Sequence, residues 1–186
     1  MTIDEFIQDA TQRMDKSVES AQHEFNTLRT GRASAALLDR IQIDYYGTKT
    51  PLKQLATINA PEPRLLTVQP FDPSSLPTIE RTIQESDLGL TPSNDGKIVR
   101  LPIPQLTEER RKELVKVARQ MAEDGRVAIR NVRRDVMHHL KELVDKGEVG
   151  SDEEHRAEER VQKLTDEHVH RIDDLLKRKE AEIMEV

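Results

Sequence analysis

The sequence predicts an α+β protein, a long antiparallel three-helix bundle interrupted by an inserted small β/α/β domain. Three observations point there. Apolar residues recur at spacings of 3 and 4 over three long stretches, near residues 3–29, 108–146 and 151–184. Between the first two stretches the period drops to two, starting at Ile41, Ile43 and Tyr45. Charged residues make up 34% of the chain and the hydrophobic set 35%, with 3% aromatic, which suits helices with a narrow buried stripe and a wide wet face.

In the first stretch, Thr2 and Glu5 form a capping box, so a helix is expected from Ile3. Its stripe is Ile3, Ile7, Ala10, Met14, Ser17 or Val18, Ala21, Phe25 and Leu28, and it is expected to run to Arg29 and close on Gly31. Strands follow around Ile41–Tyr45, with Tyr46-Gly47-Thr48 as a hairpin tip, then at Leu55–Ile58 and Leu65–Val68, separated by Pro61 and Pro63. Asp72-Pro73 opens a short helix carrying Leu76, Ile79 and Ile83. Asn94-Asp95-Gly96 marks a tight turn before the strand residues Ile98, Val99 and Leu101.

Thr107-Glu108-Glu109 opens the second long helix, with Leu114, Val117, Met121, Ala128, Val132, Val136, Leu140 and Leu143 as its stripe. Gly125 inside it admits a bend. Ser151 with Glu154 reads as a capping box for the last helix, which carries Val161, Leu164, His168, Ile172, Leu175 and Ile183. None of the three can bury its stripe alone, so they are expected to pack together. Residues 1–30 and 105–186 would form the bundle and residues 31–104 the insertion. The two crossings, Thr30-Gly31 and Pro104-Gln105-Leu106, are candidate hinge segments.

Composition removes several classes of function. Cys is absent among the 186 residues, which excludes disulfides, zinc–thiolate sites and a cysteine nucleophile. No run is long and apolar enough for a membrane span, and no signal or transit peptide is expected. There is no phosphate-binding loop, no dinucleotide turn and no nucleophile elbow. The six His are scattered, and His155 with Glu159 reads as an exposed helix pair rather than a metal site. No enzyme activity, metal or cofactor is expected.

The net charge of −6 argues against a simple nucleic-acid binder, yet the charge is uneven. Residues 107–146 carry a net +3, while residues 147–186 carry −6. Taking 100° per residue from Arg119, Lys112 falls at about +20°, Arg126 at about −20°, Arg130 at about +20° and Arg133 at about −40°. Lys116, Arg134 and Lys141 lie within about 60° of the same line. Val117, Met121, Val132 and Leu143 fall between about 160° and 300°, so the basic row is expected back to back with the apolar seam and roughly 40 Å long. Arg29 and Arg32 at the first crossing would extend it. A solvated face laced by ion pairs, such as Glu109 to Glu113 with Lys116 or Glu123 with Arg126 and Arg130, explains such a row about as well on spacing alone. The scarcity of acids on the line and the choice of Arg over Lys favour phosphate binding. Without interleaved aromatics, the expected target is the backbone of folded RNA.

The segments Leu28-Arg29-Thr30-Gly31-Arg32-Ala33-Ser34, Tyr45-Tyr46-Gly47, Thr50-Pro51-Leu52, Ser86-Asp87-Leu88-Gly89-Leu90, Leu106–Lys112, Arg126–Asp135 and Gln162–Asp166 together resemble the bacterial ribosome recycling factor family. The likeness extends over essentially the whole chain. It implies an L-shaped two-domain monomer in the cytoplasm, joined by a flexible hinge. It further implies action after termination, when the factor and elongation factor G split the ribosome and free messenger and transfer RNA. The bundle would bind large-subunit ribosomal RNA, with Arg130 and Arg133 matching family arginines that are important for that contact. Energy would come from the partner GTPase, and neither DNA nor a membrane is an expected partner. Two rivals are an enzyme with a site between the domains, for which no residues speak, and a helical adaptor that docks proteins.

Overall fold

A computed structural model describes residues 1–185. The chain divides into two compact units, Met1–Arg29 with Glu108–Glu185, and Thr30–Thr107. Thr30 and residues 105–107, expected with the helices, therefore go with the smaller unit. The chain around them supplies the reason. Gly31 lies against the Leu106 side chain, so the two crossings pack on each other. The Ala33 N–H donates to Pro63 O at 2.7 Å and the Ile103 N–H to Arg64 O at 2.8 Å, tying both crossings to one turn.

The helical unit holds α1 (Ile3–Asn26), α4 (Glu108–Asp145) and α5 (Ser151–Met184). The Thr2–Glu5 capping box is present in both directions. The first helix stops well before Gly31. Thr27 closes it, its N–H reaching the Glu24 and Phe25 carbonyls and its hydroxyl donating to Glu24 O at 2.6 Å. Gly31 keeps a positive φ of 79° as part of the crossing rather than as a helix cap. At the start of α5 the N-cap is Gly150, and Ser151 is already inside the helix, so the expected Ser151–Glu154 box does not form.

The buried side of α1 is Ala10, Met14, Val18, Ala21 and Phe25, at the predicted spacing. That of α5 is Ala157, Val161, Thr165, His168, Ile172 and Ile183. On α4 it is Leu114, Ala118, Ala122, Gly125, Ile129, Val132, Val136, Leu140 and Leu143. The α4 seam thus passes over small residues, and Val117, predicted inside it, is 42% exposed. Gly125 serves close packing: a Cβ there would stand 2.7 Å from Ile172 Cδ1 and 3.4 Å from Ala21 Cβ.

The smaller unit pairs β1 (Gln42–Tyr45) with β2 (Thr48–Pro51) in a hairpin. Its two-residue tip, Tyr46 and Gly47, has φ of 51° and 82°, the conformation that matches strand twist. A single turn, α2 (Leu52–Leu55), leads into β3 (Ala56–Glu62) and β4 (Leu65–Pro70). Next come α3 (Leu76–Glu85), β5 (Ser93–Asn94) and β6 (Val99–Pro102). The four-stranded sheet has order β3-β4-β6-β5 and every pair is antiparallel. Pro61, expected to separate strands, lies in β3 where the register shifts between Asn59 and Glu62, so no regular ladder bond is required of it. Ile79 and Ile83 of α3 join Leu66 and Val68 of β4 and Val99 and Leu101 of β6 in the core. Asp72 caps the turn before α3, accepting from the Ser74 N–H at 3.0 Å.

Candidate nucleic-acid interface

The position of the basic row follows from where α4 buries itself. Its buried residues centre at about 260° on the scale that starts at Arg119, so the outward direction is about 80°. Lys112, Arg119, Arg126, Arg130 and Arg133 lie between about −40° and +20°. They occupy a flank of the helix instead of the side opposite the seam. The fully outward side carries Lys116, Arg134 and Lys141, all exposed.

The flank location brings two of the predicted arginines to α5. Arg119 Nε donates to Glu180 Oε1 at 2.9 Å. Arg126 Nε donates to Asp173 Oδ1 at 2.8 Å, its Nη2 lies 2.7 Å from the same oxygen, and its Nη1 donates to Glu123 Oε2 at 3.0 Å. Burial disfavours the charge on Arg126, whose side chain is 20% exposed, but the bonds from Asp173 and Glu123 outweigh that and raise its pKa above the ordinary guanidinium value. Arg119 and Arg126 therefore join α4 to α5, a role that spacing along one helix does not reveal.

The other predicted residues are differently placed. Arg130, 49% exposed, makes one bond, Nη1 to Glu123 Oε1 at 3.3 Å. A guanidinium has five N–H donors, so four remain without a protein partner among the described residues. Arg133 is part-exposed, and its buried Nε has no hydrogen-bond partner; among the described residues it forms no ion pair. Lys112 is exposed and 3.7 Å from Glu108, an i,i+4 pair of small energy in water. Arg29 and Arg32, both exposed, belong to opposite sides of the unit boundary, Arg29 closing the first stretch of the helical unit and Arg32 lying in the smaller one. Of the hinge candidates, Thr30, Gly31 and Leu106 are part-buried while Pro104 and Gln105 are exposed.

The pairing of Glu123 with Arg126 and Arg130, readable from spacing, forms at 3.0 and 3.3 Å, whereas the acids that α5 brings to this surface are not readable along α4. Glu123 borders the basic row on its outward side, at about 40°. Asp173 and Glu180 come from α5, 47 and 61 residues further on. The negative net charge of the last segment was the available signal, since two antiparallel helices of opposite charge invite such pairing. A second set of bonds joins α1 to the other helices. Arg13 Nη1 donates to Asp135 Oδ2 at 2.7 Å, and the buried His168 sets Nε2 at 2.7 Å from Asp15 Oδ1 and Nδ1 at 2.7 Å from Leu164 O. The hydrogen bond from His168, helped by Arg171, holds the Asp15 carboxyl below its ordinary range, and Arg13 does the same for Asp135.

A family model described as ribosome recycling factor matches residues 21–184. The chain belongs to the ribosome recycling factor family. It is 59% identical over 180 residues to the ribosome-recycling factor of Rubrobacter xylanophilus, covering 97% of each chain. It is 57% identical to that of Thermosynechococcus vestitus over 178 residues, 96% of this chain and 98% of the relative. A solution structure of the ribosome recycling factor superposes over 100% of this chain and 99% of that one, with a TM-score of 0.75 at 42% identity. A structural model of the T. thermophilus factor and E. coli elongation factor G bound to the E. coli post-termination complex matches at a TM-score of 0.65 and 48% identity, covering 100% of both chains. The α+β class predicted from periodicity is the class of these relatives.

Proposed function

We propose that this protein is the ribosome recycling factor of its cell. It binds the large subunit of the post-termination ribosome and, with elongation factor G, separates the subunits and releases messenger and transfer RNA. Membership of the family supports this reading, as does the related factor that sits with elongation factor G on a post-termination complex. No helix among the described residues is long and apolar enough to cross a membrane. The work would take place in the cytoplasm, where ribosomes terminate.

The observation that carries the RNA contact is the donor surplus at Arg130 and Arg133. Arg130 bonds through one N–H only, and the part-exposed Arg133 forms no ion pair among the described residues. Phosphate oxygens in a fixed RNA fold supply the acceptors such forks need. Arg29, exposed and without an ion pair among the described residues, Arg32 and Lys112 add charge to the same task. Arg119 and Arg126 support it from behind by fixing α4 against α5. The crossings Thr30-Gly31 and Pro104-Gln105-Leu106 would let the smaller unit turn when elongation factor G pushes it, while the arginines hold the bundle on RNA. GTP hydrolysis by that partner supplies the energy, and this chain acts without catalysis of its own.

The experiment is titration of purified large subunits with Arg130→Ala and Arg133→Ala. Each should weaken binding by about 1–3 kcal/mol, the range for a hydrogen bond to a charged group, and leave the melting temperature in place. Unchanged affinity for both variants overturns the RNA-anchoring role. Binding that is insensitive to salt points instead to a protein-docking adaptor.

A further inference from the structure

Glu123 is out of place on a surface meant for a polyanion. It borders the basic row at about 40°, and its side chain is 47% exposed. A carboxylate there repels any phosphate that comes within a Debye length, about 8 Å at physiological salt. Its two oxygens are divided between two arginines one helical turn apart. Oε2 accepts from Arg126 Nη1 at 3.0 Å and Oε1 accepts from Arg130 Nη1 at 3.3 Å. Arg126 is itself fixed from the far side by Asp173 Oδ1, at 2.8 Å from Nε and 2.7 Å from Nη2. The bonds form a chain, Asp173 to Arg126 to Glu123 to Arg130. It starts on α5, passes through a side chain only 20% exposed, and ends on one that is 49% exposed.

We propose that Glu123 is a positioning residue for RNA binding: through the anchored Arg126 it holds the Arg130 guanidinium in one orientation, with the remaining donors turned to the RNA backbone. This rests on the reading that Arg130 meets RNA. The physical reason is conformational entropy. An arginine free in water must lose its rotamer freedom when it binds, whereas one already bonded at Nη1 has lost part of it. The alternative account of Glu123 is a plain surface acid in an i,i+3 pair with Arg126.

The two accounts predict opposite signs. If Glu123 only contributes negative charge, removing it tightens binding to a polyanion. If it positions Arg130, removing it weakens binding despite the gain in positive charge.

The test uses the full chain and purified large subunits at fixed salt, in a cycle of wild type, Glu123→Ala, Arg130→Ala and the double variant. Thermal melting of each is recorded alongside. Glu123→Ala should weaken binding about threefold to tenfold, as expected for ordering one rotamer-rich side chain. In the Arg130→Ala background the same change should have no weakening effect and instead tighten binding slightly. If Glu123→Ala lowers the melting temperature by more than a few degrees, Glu123→Gln takes its place in the cycle, with the same expected directions and a smaller weakening. Tighter binding by Glu123→Ala alone, while Arg130→Ala still weakens, overturns the positioning role and leaves the interface standing. Equal weakening in both backgrounds overturns it too, because the effect then bypasses Arg130. An Arg130→Ala variant that binds like wild type refutes the interface reading, and the positioning role falls with it.

Discussion

Replacing Gly125 by Ala measures how closely the three helices are drawn together. In an open helix the change stabilises by about 1 kcal/mol through helix propensity. Here the new Cβ would stand 2.7 Å from Ile172 Cδ1 and 3.4 Å from Ala21 Cβ. Carbon atoms in favourable contact are about 3.5–4.0 Å apart, so the first approach must be relieved. Ile172 is fully buried and has no solvent to move into. Overpacking costs about 1–3 kcal/mol, which leaves a net destabilisation of about 0–2 kcal/mol after the propensity gain. Ile172→Val deletes the offending methyl and by itself costs about 0.5–1.5 kcal/mol. In that background Gly125→Ala should stabilise by about 1 kcal/mol, giving a coupling of about 1–3 kcal/mol between the two sites. Urea denaturation of the four proteins, followed by circular dichroism, supplies the free energies. If the two changes add to within about 0.5 kcal/mol, the tight approach of α4 to α5 is refuted.

Other outcomes follow from the same contacts. Asp15 and Asp135 are both held below their ordinary pKa of 3.8 in the folded state, so their stabilising bonds are fully present above about pH 4 and are lost as pH falls through the depressed values. Melting temperature should therefore fall as pH drops below about 4, and Asp15→Asn with Asp135→Asn should shrink that fall; an unchanged fall removes these two groups as its cause. Gly31→Ala places a side chain at φ of 79° with its Cβ 3.1 Å from Leu106 Cγ and should cost about 1–2 kcal/mol in urea denaturation, whereas wild-type stability would show that the crossing relaxes freely. Arg126→Ala leaves Asp173 and Glu123 without their shared partner and should lower stability by about 1–2 kcal/mol, whereas Arg133→Ala, which breaks no ion pair, should not. A cross-link that locks the smaller unit to the helical unit should spare large-subunit binding and abolish splitting, read by light scattering with elongation factor G and GTP; continued splitting would remove the hinge from the mechanism.

Much of this architecture is legible in the residues because the signals are local. The Thr2–Glu5 box and the Tyr46-Gly47 tip each depend on a few neighbouring atoms and form as read, whereas Asp72 caps the short turn Pro73–Ser75 and α3 itself starts at Leu76. The 3-and-4 spacing names the buried residues of α1 almost completely. On α4 it misjudges the rotation of the helix, since large apolar residues were weighted above small ones. Ala118, Ala122 and Gly125 let the neighbouring helices approach, and the buried side centres on them, which leaves Val117 exposed. The basic row moves to the flank by the same rotation. The end of α1 was missed because Thr27 can close a helix through its hydroxyl as effectively as a glycine through its backbone. At the interface, the line of arginines is readable from 100° steps. Which of them are engaged by Asp173 and Glu180 is not, because those partners are distant in sequence and only the packing of α5 delivers them.

The central claim is the proposal that Arg29, Arg130 and Arg133 grip ribosomal RNA through its phosphates. Affinity for purified large subunits, measured over roughly 50–300 mM potassium chloride, tests it most directly. Wild-type log Kd should climb linearly with log salt, and Arg29→Ala, Arg130→Ala and Arg133→Ala together should flatten that line by about two to three phosphate contacts, near 0.7–0.9 in slope for each. A triple variant whose line runs parallel to that of the wild type would contradict the account, however much its affinity changed.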